Sequence, residues 1–261
     1  MKRIALGLGF AAVALAAVLA TVLVVAPAQW VAAAVDRASD GHLLLADARG
    51  TLWRGDATLV VAAGRGNDGV RAALPDRLSW QLAPAALATG AVELTVAHPS
   101  ALSQPLTLRR AAGGETGLGA ATLRLPAALL SALGAPWNTV RPAGTLVVGW
   151  DRLVLAAGRM QGNLTAEWQY AASALTAVAP IGHYRLTASG GYPGTQLQLT
   201  TVNGALQMAG GGTIGAGGQV RFRGSAQLAA DADPAVRAQL AGLLSLLGKR
   251  DGEKVILNLE S

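Results

Sequence analysis

From residue 43 onwards, apolar and polar residues alternate in short runs, and this pattern restricts the fold more than any other feature. Runs such as "GAVELTVAHP" and "QLQLTTV" are cut by Gly, Asn-Gly or Pro. Period-two alternation is typical of β-strands that bury one face and wet the other. Because the connections are short, neighbouring strands are predicted to be antiparallel.

The connections carry recognisable turn signals. "VNGAL" at residues 202–206 contains the Asn-Gly pair of a tight hairpin. "GGGTIGAGG" at residues 210–218 lacks the Lys-Ser/Thr pair of a phosphate loop, and we interpret it as a hairpin. Residues 64–68 and 110–120 are rich in Gly and polar residues, and both are predicted to be loops.

A strand, a Pro, a short apolar helix, a Gly and another strand follow one another three times. In each copy the Pro is predicted to lie in the first helical turn and the Gly in the left-handed position after the helix, at Pro84, Pro126 and Pro234 and at Gly90, Gly134 and Gly248. Asp233 is a suitable N-cap for the last copy. That helix carries an apolar stripe expected to pack on the sheet: Val236, Leu240, Leu243, Leu244 and Leu247.

Residues 4–25 form an uncharged stretch of 22 residues behind Lys2 and Arg3. As a helix it would extend about 33 Å, which is enough to cross a hydrocarbon core of about 30 Å. A cleaved signal peptide is the alternative, but the stretch is longer than the usual apolar region of such peptides. We therefore expect an uncleaved single-pass anchor, with Lys2 and Arg3 on the cytoplasmic side.

This reading divides the chain into a cytoplasmic tip at residues 1–3, an anchor at 4–25, a helical connector at 26–42 and a periplasmic β-rich domain at 43–261. The expected location is the bacterial inner membrane. Trp30 would lie at the membrane interface or pack on the domain, and the sequence leaves both open. The expected fold is mainly β: a transmembrane helix, then a long, curved, mostly antiparallel sheet, open or partly closed, with a few short capping helices.

The stretch "GTLWRGDATL" at residues 50–59 places Trp53 within a strand-like pattern bounded by Gly50 and Gly55. Alternation puts Trp53 on one face of that strand and Leu52 with Arg54 on the other. We expect Trp53 to point inward as part of the fold, with the two glycines allowing a bend or a close backbone approach. A contact of Trp53 with a partner or a lipid is the alternative.

Catalytic chemistry is not indicated. The chain has three His and no Cys, so thiol chemistry is excluded. His42, His98 and His183 lie outside any nucleophile–base pattern, and we expect each on the surface or in a turn. No zinc-ligand spacing or paired carboxylates occur. We expect neither an enzyme nor a cofactor.

The net charge is +6, but Arg is spread along the chain. Nucleic-acid-binding domains cluster their basic residues on one face or along a helix, so no nucleic-acid partner is expected. A mildly basic domain beside an anionic membrane surface fits this pattern better.

"GTLWRGDATL" followed by "LSWQLAPAALATGAVELTV" resembles the opening of the type II secretion system protein N family. The resemblance continues through "LPAALLSALGAPWNTVRPAGTLVVGWDRL" to the last apolar helix. The family begins with a membrane anchor, then a Gly-Leu-Trp-x-Gly element and a Trp-x-Leu-x-Pro element. The positions that carry the resemblance, and that could contact partners, are Gly50, Leu52, Trp53, Gly55, Trp80, Pro84 and Trp150.

The resemblance implies an inner-membrane, periplasm-facing accessory of the machine that exports folded proteins across the outer membrane. Its partners would be other inner- or outer-membrane secretion subunits, and the family offers no catalytic residues. A lipid- or hydrophobic-ligand-binding module with an apolar groove is the alternative, since an uncovered apolar sheet face is a large exposed patch.

Overall fold

The computed structural model describes residues 25–65, 69, 71–135, 137–191, 194–252 and 254–260. Within these residues the chain forms one antiparallel sheet of 17 strands and a few short helices. Each strand pairs mainly with the strands before and after it in sequence, as the short connections predicted. The sheet is not closed, because within the described chain its two end strands do not pair with each other.

The first part of the sheet is a meander of seven strands. β1 pairs with β2, β2 with β3 and β4, and pairing continues from β4 through β5 and β6 to β7. The bounds are β1 Leu43–Gly50, β2 Arg54–Val61, β3 Ala72–Ala73, β4 Leu78–Leu82, β5 Val92–Ala97, β6 Leu106–Arg110 and β7 Thr116–Leu118.

The middle of the sheet is a long hairpin that joins the two halves. One arm consists of β9 and β10, and the other arm is β11, which pairs with both. The outer side of that first arm pairs with β7 and β8. The bounds are β8 Ala121–Pro126, β9 Pro142–Trp150, β10 Leu153–Ala156 and β11 Arg159–Ser173.

The last part continues strand by strand from β11 through β12, β13, β14 and β15 to β17, and β16 pairs with β17. The predicted turn at residues 202–206 connects β13 to β14, and the predicted hairpin at 210–218 is formed by β14 and β15. The bounds are β12 Gly182–Gly190, β13 Thr195–Asn203, β14 Leu206–Ile214, β15 Val220–Leu228, β16 Lys249–Asp251 and β17 Lys254–Glu260.

The helices are short. They are α1 Gln29–Ala38, α2 Pro84–Leu87, a 3₁₀ helix Ala127–Leu133, α3 Trp137–Val140 and α4 Pro234–Leu247. Pro84 and Pro234 start their helices, and the Asp233 side chain accepts a hydrogen bond from the Ala235 N–H, as an N-cap does.

The buried side chains form three clusters. One lies under α4 and includes Leu206, Leu240 and Val255. The second surrounds Trp80 near the start of the described chain, and the third lies under the 3₁₀ helix around Leu129. The predicted stripe of α4 packs on the sheet: Leu240, Leu243 and Leu244 are buried there.

Some local predictions were wrong. Gly248 has φ 165°, which is extended backbone rather than the left-handed region. A Cβ on Gly248 would lie 2.3 Å from the Ile256 carbonyl oxygen, so close approach explains this glycine. Pro126 ends β8 and precedes the 3₁₀ helix. Residues 110–120 contain a tight turn and β7 rather than one long loop, and the Ala111 N–H donates to the Glu115 carbonyl at 2.8 Å.

The predicted anchor at residues 4–25 lies outside the described residues except for Val25. Among the helices of the described chain, none has the length and apolar character that crossing a membrane requires.

The sheet curls strongly around its last strands. A Cβ on Gly158, in the β10–β11 turn, would lie 2.2 Å from the carbonyl oxygen of Ala216 in the β14–β15 turn. In a flat sheet, β11 and β14 are three strands apart and would be separated by about 14 Å at about 4.8 Å per strand. The two turns touch because the intervening strands twist and coil into a trough.

Candidate functional site

The Gly-Leu-Trp element connects β1 to β2. Gly50 and Gly55 are paired across the strands, and the Thr51 N–H donates to the Arg54 carbonyl at 2.9 Å. Trp53 lies in this connection, before β2 begins, and is half-buried. The prediction that Trp53 continues the strand was therefore wrong, but the bend expected at Gly50 is present: at φ +90° it turns the chain before the alternation of β2 starts.

The connection fastens two neighbouring segments. The Leu52 N–H donates to the Ala26 carbonyl at 2.7 Å, and the Ala28 N–H donates to Gly50 at 3.1 Å. On the other side, the Trp53 carbonyl accepts from the Leu82 N–H at 2.7 Å. The element therefore joins the segment that precedes α1 to the first hairpin and to β4.

Trp80 is the buried aromatic of this region. Its side chain is 3% exposed and its Nε1–H donates to the Leu52 carbonyl at 3.2 Å. The ring covers Gly55, where a Cβ would lie 2.4 Å from the Trp80 Cζ2 atom. The alternation of Leu78, Trp80 and Leu82 in β4 was the sequence signal for this inward position. The contact between the Trp80 ring and Gly55 could not be predicted from the sequence.

The other positions that carry the resemblance are placed as follows. Pro84 begins α2, two residues after the Leu82 that bonds to Trp53. Trp150 lies apart from them at the end of β9, where its Nε1–H donates to the Gly119 carbonyl at 2.8 Å. Trp30 lies on α1 and is 52% exposed. Lys2 and Arg3 are outside the described residues.

One face of the sheet is largely apolar in its C-terminal part. Residues paired across neighbouring strands share a face, so the register identifies the residues of that face row by row. One row crosses eight strands without a polar side chain: Leu123, Val148, Ala166, Leu186, Leu199, Gly210, Gly224 and Leu257. We call the surface that contains this row the inner face.

The inner face continues into the first half of the sheet. Leu82, Leu94 and Leu108 are paired in series across β4, β5 and β6. Leu118 of β7 and Leu153 of β10 extend the same series towards β11. A single layer of strands thus presents apolar side chains on one side along most of its length.

The opposite side, which we call the outer face, is polar. The row adjacent to the apolar one consists of Thr122, Gly149, Thr165, Thr187, Gln198, Gly211, Arg223 and Asn258. In each strand the residue of one row is next to the residue of the other row, so the two side chains point to opposite faces. The sheet is therefore apolar on one face and polar on the other.

A charged cluster on the outer face links β11 to β12. Glu167 accepts from Arg185 at 2.8 Å and from Gln169 at 2.8 Å, and lies 3.2 Å from His183 Nε2. Hydrogen bonds hold the pKa of the Glu167 carboxyl below its ordinary value; the one from Gln169 has the largest effect and the one from Arg185 the next largest. This arrangement places His183 within hydrogen-bond distance of a structural carboxylate.

His42 and His98 occupy different surroundings. His42 is exposed, and its Nδ1 lies 3.1 Å from the Ala62 carbonyl. His98 is 3% exposed, so of the two positions expected for it, the surface or a turn, the structure shows the turn. Its Nδ1 accepts from the Ala101 N–H at 3.1 Å and so closes the turn after β5. In the described part of the chain, His, Asp and Glu do not gather in groups that could hold a metal ion.

The inner face is covered unevenly. α4 packs against β15 and β17 and buries the end of the trough around Leu206 and Val255. At the opposite end, near the touching turns, an open groove of about 690 Å³ remains. Its apolar lining consists mainly of half-buried or exposed side chains: Leu155, Met160, Leu164, Leu186, Leu197 and Ile214. We call this space the tip groove.

Comparison with known proteins agrees with the resemblance seen in the sequence. Residues 41–256 match the family described as type II secretion system (T2SS), protein N. Neither the search of curated proteins nor the search of solved structures found a match. The family match covers well over half of the chain, including the Gly-Leu-Trp element, the inner face and α4. The chain therefore belongs to the type II secretion system protein N family.

Proposed function

We propose that this protein is an inner-membrane-anchored periplasmic accessory of the type II secretion machine, and that it acts through contacts with other subunits rather than by catalysis. The observation that carries this proposal is the family match over residues 41–256. Membership of the family implies interaction with other type II secretion components. The apolar residues 4–25 behind Lys2 and Arg3 support the anchored location.

The architecture supports a role in holding or positioning other molecules. The sheet is a single layer, so much of its surface remains open on either side. The Gly-Leu-Trp element ties the segment at Ala26 and Ala28 directly to the first hairpin. In the proposed arrangement, this contact holds the sheet close to the end of the anchor.

The location is tested by fractionation and a topology reporter on the full chain. A phosphatase active only in the periplasm is fused after Ser261, and membranes are washed with alkaline carbonate. We expect an active fusion that stays in the inner-membrane fraction. Changing both Leu15 and Leu19 to Lys should abolish membrane insertion and the activity of the fusion, because each charge at the middle of a membrane helix costs about 3 kcal/mol. Changing both to Ile is the matched control and should retain insertion and activity.

The partner contacts are tested by purifying the tagged full chain from native membranes in mild detergent. Recovery of other secretion subunits, together with loss of substrate export when the gene is deleted, supports the proposal. Unchanged export combined with no secretion subunit in the purified sample would refute it.

A second function is favoured by the inner face. An apolar row crosses eight strands of this face, and helices cover it only near its two ends: α4 near Leu257 and the 3₁₀ helix near Leu123. An uncovered apolar surface of this kind is typical of a ligand-binding or interaction site. The second candidate is therefore binding of lipid or another hydrophobic ligand. Phospholipid or lipopolysaccharide recovered in stoichiometric amount, with no secretion subunit, would favour it over the first.

A further inference from the structure

We infer that one edge of the sheet rests on the surface of an anionic bilayer and binds it through apolar side chains and arginines. This edge is the one at which the described chain begins. We call it the entry edge, and it consists of residues 25–30, 50–54, 82–93 and 109–116. The inference rests on the anchored location proposed above, and on the position, the exposed side chains and the charge of this edge.

The four segments of the entry edge are neighbours in space. The β1–β2 connection is hydrogen-bonded to Ala26 on one side and to Leu82 on the other, both at 2.7 Å. A Cβ on Gly90, after α2, would lie 3.4 Å from the Cβ of Ala112 in the β6–β7 turn. Because the described chain enters here directly after the apolar stretch, an anchor formed by that stretch brings the entry edge to the membrane surface.

The entry edge exposes apolar side chains to solvent. Four large ones are exposed: Val25, Trp30, Leu87 and Val92. Trp is enriched at membrane–water interfaces, because its ring is apolar and its N–H is polar. Apolar side chains are also exposed at the opposite edge, at Leu175 and Val202, but the proposed anchor does not enter the sheet there. The two edges therefore differ in their access to the bilayer rather than in exposure alone.

The charge of the entry edge suits anionic lipid. It contains three arginines and two glutamates, a net charge of +1 (three minus two). The arginines, Arg54, Arg109 and Arg110, are exposed, and none of them takes part in an ion pair of the described chain. Of the glutamates, Glu115 is exposed, and Glu93 is half-buried opposite Arg109. Exposed guanidinium groups without an ionic partner are available to lipid phosphates.

The arginines lie on both sides of the entry edge. By the register, Arg54 and Arg109 are on the outer face and Arg110 is on the inner face. Arginines at the ends of strands can extend their charged groups towards a surface that the edge contacts. The bilayer would therefore meet apolar side chains flanked by cations, which is the arrangement that an interfacial protein segment uses.

The test uses the full chain reconstituted in vesicles of equal parts phosphatidylglycerol and phosphatidylcholine, with nitroxides on some head groups. Because the chain has no Cys, single cysteines that carry a fluorophore are placed at Leu87 or Val92. Leu175 and Val202 are the matched controls at the opposite edge. We expect quenching at Leu87 and Val92 to be severalfold stronger than at the controls. Equal quenching at both edges, or none at Leu87 and Val92, would overturn the inference.

A label at Ala12, in the predicted anchor, tests the anchored location separately with nitroxides on the acyl chains. Quenching at Ala12 without quenching at Leu87 and Val92 would refute the inference and leave the anchored function standing. Quenching at Leu87 and Val92 but not at Ala12 would refute the anchor and support the surface contact. No quenching at any of the three positions would refute both.

The role of the arginines is tested by lipid composition and by substitution. Replacing phosphatidylglycerol with phosphatidylcholine should lower the quenching at Leu87. Arg54→Gln combined with Arg109→Gln should do the same, since each cation near an anionic surface strengthens binding about fivefold. Arg71→Gln combined with Arg141→Gln removes the same charge from exposed positions at the opposite edge and is the control. Equal quenching in the two double variants would overturn the inferred contact with anionic lipid.

A protein partner at the entry edge is the remaining alternative. A cysteine at Leu87 that crosslinks to another secretion subunit in native membranes, but is not quenched in vesicles, would identify such a contact. That result would overturn the inference, while the proposed function as a secretion component would stand.

Discussion

At the scale of single residues, close contacts between glycines and aromatic rings determine how the strands pack. Trp80 covers Gly55, and the Phe222 ring lies against Gly210 and Gly224, where added Cβ atoms would approach it to 2.6 Å and 3.1 Å. Removing the Cβ lets a large ring lie flat on the sheet. These glycines are therefore required by side-chain packing rather than by a turn.

The Gly55–Trp80 contact gives a direct prediction. In Gly55→Ala the new Cβ would lie 2.4 Å from the buried Trp80 ring and 2.5 Å from the Arg49 carbonyl oxygen. Neither neighbour can move freely, so we expect the free energy of unfolding to fall by about 1–3 kcal/mol, as in other overpacked cores. Urea denaturation followed by Trp fluorescence measures this. Gly113→Ala is the control, since nothing lies within 4 Å of its Cβ position; equal effects would contradict the packing argument.

The Glu167 cluster predicts how stability depends on pH. Hydrogen bonds in the folded state lower the pKa of Glu167 from its ordinary value of 4.5. The stabilisation is thus fully present above about pH 4.5 and is lost as the pH falls through the folded-state pKa. We expect Glu167→Gln to be less stable than the native chain at neutral pH, and the difference to shrink as the pH is lowered.

The measurement is the urea midpoint of both chains at several values between pH 7 and pH 3. Ser189→Ala, on the neighbouring strand β12 but distant from Glu167 in the register, controls for a substitution on the same face. A difference between Glu167→Gln and the native chain that stays constant over this range would contradict the assigned role.

At the scale of elements, the sequence predicted much of the fold. Alternation identified the strands of the last part, and "VNGAL" identified the β13–β14 turn. Prediction failed where contacts made far along the chain decide the conformation. Trp53 continues an alternating pattern, but Gly50 turns the chain out of the strand first. Gly248 ends α4 as predicted, but its backbone is extended rather than left-handed, and the missing Cβ admits the Ile256 carbonyl from β17.

α4 is the element whose packing is most directly tested. Leu240 is fully buried between this helix and the sheet. Leu240→Ala leaves a cavity, which costs about 2–5 kcal/mol, and should lower the urea midpoint markedly. Gln239→Ala changes the exposed neighbouring position of the same helix and should leave the midpoint nearly unchanged. Similar midpoints for the two variants would mean that α4 does not contribute to the core.

At the scale of the whole molecule, the sheet behaves as one amphipathic layer. The sequence predicted alternation within each strand, but not that the apolar sides of successive strands share one face, because that depends on register. A shift of the pairing register by one residue in any strand would turn that strand's apolar side chains to the outer face. The tip groove was equally beyond prediction, since it arises where two turns distant in sequence meet at Gly158 and Ala216.

The register can be tested across the whole sheet because the chain has no Cys. Single cysteines are placed at adjacent positions on four strands, and their rates of reaction with a charged thiol reagent are compared. The inner positions should react more slowly than their outer neighbours, since their side chains lie against the apolar trough. The pairs, inner residue first, are Leu164 and Thr165, Leu186 and Thr187, Leu197 and Gln198, and Phe222 and Arg223.

The pairs also separate the fold from the ligand. Adding phosphatidylglycerol should slow the reaction at positions 164, 186 and 197, which line the tip groove or lie at its floor, and should leave their outer neighbours unchanged. Alternation in the rates without any effect of lipid would confirm the amphipathic layer and refute lipid binding in the tip groove. Equal rates within all four pairs would refute the amphipathic layer itself, because such a layer requires the inner and outer positions of each pair to differ in exposure.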